Sequence, residues 1–170
     1  MKIFIEEQKF TQWWIMLLIV GLSLIGPIAI FLDWESIRSE GFGGIIAIVL
    51  GGGLPLVFLL MFLYLKLITR IDEFGIHYKF FPLHWAFKTI SWQNIATCEL
   101  RKYNAIKEYG GWGVKHSLRK KTGKSYTVKG SNGLQIVLKS GKKILIGTQL
   151  KDDIQRCLST YEHKIYAYGQ

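Results

Sequence analysis

The stretch 13-WWIMLLIVGLSLIGPIAIFL-32 decides the fold, together with 44-GIIAIVLGGGLPLVFLLMFLYL-65, which follows after a short connector. Neither run contains a charged residue. About 20 helical residues are needed to cross the roughly 30 Å hydrocarbon core of a bilayer. A buried helix in a small soluble domain seldom runs so far without a charge. The two runs therefore read as a transmembrane hairpin, with helices over 13–32 and 44–65 and an external connector over 33–43. A tail, 1–12, precedes it. The remainder, 66–170, has the length of one compact domain.

Charge is divided unevenly around this hairpin. Residues 66–170 carry 19 Lys/Arg against 7 Asp/Glu, whereas the connector DWESIRSEGFG sets Arg38 against Asp33, Glu35 and Glu40. Lys and Arg are retained on the cytoplasmic side of membrane proteins. This bias predicts a multi-pass membrane protein with both termini cytoplasmic and the connector outside. The first run is read as retained rather than cleaved: its leading residues are not positive, and Ile30-Phe31-Leu32-Asp33 offers no small residues for cleavage.

Within the runs, Pro27 and Pro55 predict kinks, since each removes a backbone hydrogen bond. Gly21, Gly26 and the triple Gly51, Gly52 and Gly53 read as helix-packing positions, because small residues let helices approach closely in lipid. A broken helix lining a transport path would need an intramembrane polar group, and only Ser23 is available. Trp13, Trp14 and Tyr64 stand where interfacial anchors belong.

Beyond Ile71 the pattern turns to alternation. Ile76, Tyr78 and Phe80 alternate with His77, Lys79 and Phe81 after a turn at Glu73-Phe74-Gly75, as in a strand with one buried face. Further strands are expected over 85–90, 95–103, 112–118, 124–130, 134–139 and 143–147. Asn132-Gly133 reads as a two-residue hairpin turn and Ser140-Gly141 as another. Leu150, Ile154, Cys157, Leu158, Tyr161 and Ile165 then recur at helical spacing, with Asp152 and Asp153 favouring the first turn. The fold class is thus a membrane hairpin followed by an α+β domain: about seven short strands in a small barrel or sandwich, closed by a C-terminal helix.

On these residues the chain resembles the PH-like (pleckstrin-homology-like) domain of small bacterial membrane proteins, in which two transmembrane helices precede a cytoplasmic barrel. The resemblance runs through Asp72-Glu73-Phe74-Gly75-Ile76, Ile90-Ser91-Trp92 with Ile95, Gly110-Gly111-Trp112-Gly113-Val114, Gly130-Ser131-Asn132-Gly133-Leu134, and Gly141 to Ile146-Gly147-Thr148-Gln149. It implies architecture and no particular activity.

Gly110-Gly111-Trp112-Gly113 lacks the helix and Lys-Ser/Thr of a phosphate loop. Trp112 reads either as a plug of the barrel end or as a partner contact. The densest basic patch, Lys115, Arg119, Lys120, Lys121 and Lys124, reads as an anionic-lipid contact worth roughly 1 kcal/mol per cation near the surface, or as an ordinary solvated loop. Aromatics interleave with these charges as in single-strand binders, but the same rings serve a small core, and nucleic acid is disfavoured. Cys98 and Cys157 are expected to be free thiols in a reducing compartment. No histidine spacing suits a metal, no nucleophile elbow occurs, and no cofactor is expected. The sequence therefore points to a non-enzymatic, membrane-anchored scaffold or adaptor that binds a protein partner or anionic lipid and is able to pair with its own kind. The alternative is an accessory subunit of a transport or envelope-maintenance system whose hairpin is the working part.

Overall fold

Strand β1 (Phe4–Lys9) pairs antiparallel with β2 (Lys66–Ile71), and the whole stretch Thr11–Leu65 is inserted between them. The computed structural model describes residues 3–116 and 123–167. It divides the chain into an apolar helical unit, Thr11–Leu65, and a β-rich unit built from the first ten residues and everything from Lys66 onward. The tail is thus a strand of the domain rather than a separate segment, and β2 begins where the second helix was expected to trail off.

In the helical unit, α1 (Trp13–Leu32) is followed by a short connector helix, α2 (Trp34–Ser39). The second long helix comprises α3 (Phe42–Ile48), a π-helical turn over Val49–Gly53, and α4 (Leu54–Leu63). Both long helices are long and apolar enough to cross a membrane. The π turn has a local cause. Pro55 has no N–H to return to the carbonyl of Gly51, four residues back, so the hydrogen-bond ladder is broken there. Gly26 of α1 packs against that freed carbonyl, and a Cβ on Gly26 would stand 1.8 Å from the Gly51 oxygen. Gly51 and Gly52 lie near the Ile30 side chain, while Gly21 and Gly53 face open space.

The β-rich unit holds two sheets. One runs β1-β2-β3-β4, with β3 over Gly75–Phe81 and β4 over Lys88–Ser91. The other has the order β5-β8-β9-β7-β6, from β5 (Ile95–Lys102), β6 (Gly113–His116), β7 (Lys124–Thr127), β8 (Asn132–Leu138) and β9 (Lys143–Gly147). This makes nine strands among the described residues, two more than the periodicity suggests. β7 runs parallel to β9, all other pairings being antiparallel.

Leu67, Ile71, Ile76, Phe80, Ile95, Leu134, Ile136 and Ile146 are fully buried and make the core. Helix α6 (Lys151–Ala167) turns Ile154, Cys157, Leu158, Tyr161 and Ile165 inward. Tyr161 stacks on the buried Trp92 at 5.5 Å, and the Trp92 indole donates to the Asp72 carbonyl at 3.0 Å.

The expected turn at Asn132-Gly133 is not one. Both residues belong to β8, and the positive φ falls on Gly130 instead. Gly133 is needed for space: a Cβ there would press on Leu145, the Ile146 carbonyl and the Tyr103 ring at 3.1–3.2 Å. Ser140-Gly141 does turn, with Gly141 donating to the Leu138 carbonyl at 2.8 Å.

Candidate functional site

Alternation along the β6–β7 hairpin divides the basic run between two faces. Lys115 pairs with Ser125, and His116 pairs with Lys124. Successive strand residues point to opposite sides of a sheet. Lys124 and His116 thus share one face with Tyr126, and Lys115 lies on the other. Arg119, Lys120 and Lys121 lie outside the described residues.

The Lys124 face opens into a cavity of about 620 Å³. Its wall takes Tyr78 from β3, Lys88 from β4, His116 from β6, Lys124 and Tyr126 from β7, and Ser140 to Ile144 from the β8–β9 turn. Lys88 arrives because it is the cross-strand partner of Tyr78, and Lys124 stands beside Ile144 in the parallel pair. Four lysines (88, 124, 142 and 143) converge on this space with no carboxylate among its lining residues. A concave site of one charge sign focuses its field and concentrates counter-ions.

The floor is aromatic and tightly held. The Tyr78 and Tyr126 rings lie 4.6 Å apart, and His84 packs on both, at 6.4 and 5.6 Å. Burial, with Tyr126 alongside, pushes the Tyr78 phenol well above its ordinary range, so it remains a neutral donor. Burial also holds the His84 imidazole below its usual value, helped by Lys88 and Lys124. The Phe80 N–H donates to His84 Nδ1 at 3.3 Å, which fixes the ring proton on Nε2. The site therefore offers ammonium groups and phenols, with the His84 ring packed against those phenol rings. Such a set suits a phosphate or similar oxyanion, with lysine acting as a point charge.

Trp112 lies apart from this site. It is half-buried against Tyr103, Ala105, Tyr109 and Leu145, and its indole donates to the Gly130 carbonyl at 3.2 Å. A short helix, α5 (Ala105–Tyr109), carries part of that cluster. Arg101 ties it to the sheet through Glu108 at 2.9 Å and Gln135 at 3.0 Å. Trp112 thus covers a satellite cluster, and Trp92 is the tryptophan buried in the core.

A second polar cluster surrounds Asp72. Thr89 Oγ1 meets His77 Nδ1 at 2.9 Å, and His77 Nε2 meets Asp72 Oδ1 at 3.0 Å. This hydroxyl–imidazole–carboxylate series has the outline of a nucleophilic triad. However, the Asp72 carboxylate is also held by Arg70 at 3.0 Å and by the Phe74 N–H at 2.9 Å. Burial raises the Asp72 carboxyl, but Phe74, His77 and Arg70 together outweigh it and bring the net value below the ordinary range. The cluster clasps the β2–β3 turn to β4, since His77 and Thr89 are cross-strand partners.

Lys88, Lys142 and Lys143 carry no sequence signal that would unite them with Lys124. The pairing of β3 with β4 sets Lys88 beside Tyr78, that of β7 with β9 sets Lys124 beside Ile144, and the contact of the Tyr78 and Tyr126 rings joins the two sheets there. Cys98 and Cys157 are free thiols, and burial pushes Cys98 up to about 12. Among the described residues no three His, Cys, Asp or Glu side chains gather to hold a metal. No protein-family model, curated protein or solved structure matches the chain.

Proposed function

We propose that this chain is a membrane-anchored PH-like adaptor whose lysine-rimmed cavity binds the phosphate of an anionic lipid headgroup at the cytoplasmic face of a bacterial membrane. The observation that carries the reading is the convergence of Lys88, Lys124, Lys142 and Lys143 on one cavity free of carboxylates. The anchor is supported by the long helices, which leave Leu17, Leu22, Ile25, Leu56 and Phe58 exposed on their surfaces. Such a surface is at home in lipid and costly in water, at roughly 25 cal/mol per Å² of apolar area. A PH-like architecture is supported by a four-strand antiparallel meander, a second sheet containing the β5-β8-β9 meander, and a closing C-terminal helix. The β6–β7 hairpin is then an insertion into that plan. It brings Lys124 and His116 to the cavity.

The test uses the full chain, extracted from vesicles of mixed phosphatidylglycerol and phosphatidylcholine and weighed by native mass spectrometry. The protein is expected to retain phosphatidylglycerol preferentially, and raised salt should weaken the preference. The combined K88Q, K124Q and K143Q variant should lower it about tenfold or more, given roughly 1 kcal/mol per cation at a lipid surface. Equal retention by wild type and variant would overturn the assignment.

A further inference from the structure

Register places Lys9, Lys66 and Phe81 side by side at one edge of the first sheet. From that edge the chain departs through Phe10 toward the first apolar helix, and there it returns at Lys66 from the second. Only Thr11 and Gln12 separate Phe10 from Trp13. The β3–β4 loop, Pro82 to Phe87, springs from the same edge.

That loop is apolar and yet firmly built. The His84 N–H donates to the Phe80 carbonyl at 2.7 Å, and the His84 ring points back onto Tyr78 and Tyr126. The Phe10 ring meets Phe80 edge-on at 6.5 Å. With His84 turned inward, the other large side chains are turned out: Leu83 is 56% exposed, Trp85 81% and Phe87 47%. Trp85 is braced edge-on against Phe81 at 5.9 Å, and the Lys79 ammonium lies over the Phe81 and Phe87 rings at 5.6 and 5.9 Å. Three large apolar groups held outward on one short, hydrogen-bonded loop form a patch that water does not favour. Tryptophan flanked by lysines is the composition of a membrane–water interface.

We infer that the Leu83–Phe87 loop is a third membrane contact that dips into the headgroup–acyl boundary beside the two helix ends. The inference rests on the membrane-anchored reading above. The bilayer is the occupant because the loop shares its sheet edge with both connections to the apolar helices, and because Lys79 and Lys88 flank it with charge of the sign that anionic headgroups attract. His84 links the two surfaces, being part of the loop and in ring contact with the cavity's Tyr78 and Tyr126.

The test places single cysteines at Leu83, Trp85, Leu22 and Ile106 of the full chain and labels each with an environment-sensitive fluorophore. The proteins are reconstituted in phosphatidylethanolamine–phosphatidylglycerol vesicles, and the unsubstituted chain sets the background from Cys98 and Cys157. Labels at 83 and 85 should be blue-shifted, quenched by lipids carrying a nitroxide near the top of the acyl chain, and several-fold less sensitive to aqueous iodide than the label at Ile106. The label at Leu22, exposed on α1, should be quenched by a deep nitroxide. If 83 and 85 respond to iodide as 106 does while 22 stays lipid-quenched, the loop proposal fails and the anchor stands. If 22 is open to iodide as well, the anchored reading itself fails. Labels at 83 and 85 that are shielded from iodide yet untouched by lipid nitroxides would place protein over the loop, and that also overturns the inference.

Discussion

At the scale of single residues, Gly26 and His84 carry the sharpest consequences. A side chain at Gly26 meets the Gly51 carbonyl, which is backbone and cannot swing aside. Gly26→Val should therefore force the helices apart at a cost of about 1–3 kcal/mol, the range for overpacking. Gly53→Ala, facing open space, should not. Thermal unfolding of both variants in the same detergent checks the contrast. His84 predicts a pH response. Its native environment disfavours the imidazolium, so the unfolded chain binds the proton more readily. The stability that follows is complete above the unfolded value of about 6.5 and is lost as pH falls below it. Melting temperatures of the wild type should decline below that point more steeply than those of His84→Asn, whose side-chain oxygen keeps an acceptor for the Phe80 N–H. Parallel curves for the two proteins would remove His84 as the cause.

Among the elements, β1 is the one whose importance its sequence conceals. Its inward residues are Phe4, Glu6 and Gln8, and its outward ones include Ile5, so polarity does not mark which face is buried. The polar pair is buried for a reason. Glu6 accepts from the Thr148 hydroxyl and the Gln149 N–H, each at 2.7 Å, and Gln8 donates to the Gly147 carbonyl at 2.7 Å. Glu6→Ala should strand the buried Thr148 hydroxyl at about 1–3 kcal/mol, read from thermal unfolding. Deleting residues 1–10 should leave the β-rich unit unable to fold, seen as rapid proteolysis of the deleted protein beside a resistant full chain. Periodicity revealed β3 and α6 because one face of each is apolar and the other polar, and β9 showed as a short apolar run after the Ser140-Gly141 turn. It failed at β2, where only Lys66 separates the apolar run from Leu67 and Ile68. It failed at Asn132-Gly133 because a sequence pair cannot tell a turn glycine from one that makes room for Leu145. The cavity was legible only in Lys124. Its other lysines reach it through pairings between distant segments, and local sequence does not encode these.

For the whole molecule, the two connections to the helical pair come off neighbouring strands, so in a membrane both must emerge on one side. On the orientation proposed above, that side is the cytoplasm. A membrane-impermeant thiol reagent on intact cells should label a cysteine at Ser36 or Ser39 and spare one at Ile106, which is exposed on α5. The native thiols cannot serve as the control, because Cys157 is buried and Cys98 resists ionisation wherever it lies. Labelling at 106 with 36 and 39 silent would reverse the orientation.

The insertion of the helical pair between β1 and β2 also sets an order of assembly. β1 leaves the ribosome before the helices, and its partner follows only after the whole stretch Thr11–Leu65 has been synthesised. Until then Phe4, Glu6 and Gln8 have nothing to pair with, and the first sheet cannot close. Closing a flexible loop of that length costs entropy that grows with its logarithm, whereas a packed helical pair returns the chain to its starting point already folded back. On the membrane-anchored reading, integration of the helices acts as the nucleating step for the β-rich unit. A chain whose helices failed to integrate would keep an orphaned first strand and an open sheet edge, a state that proteases and chaperones recognise. On that reading, completion of the β-rich unit reports that insertion has succeeded.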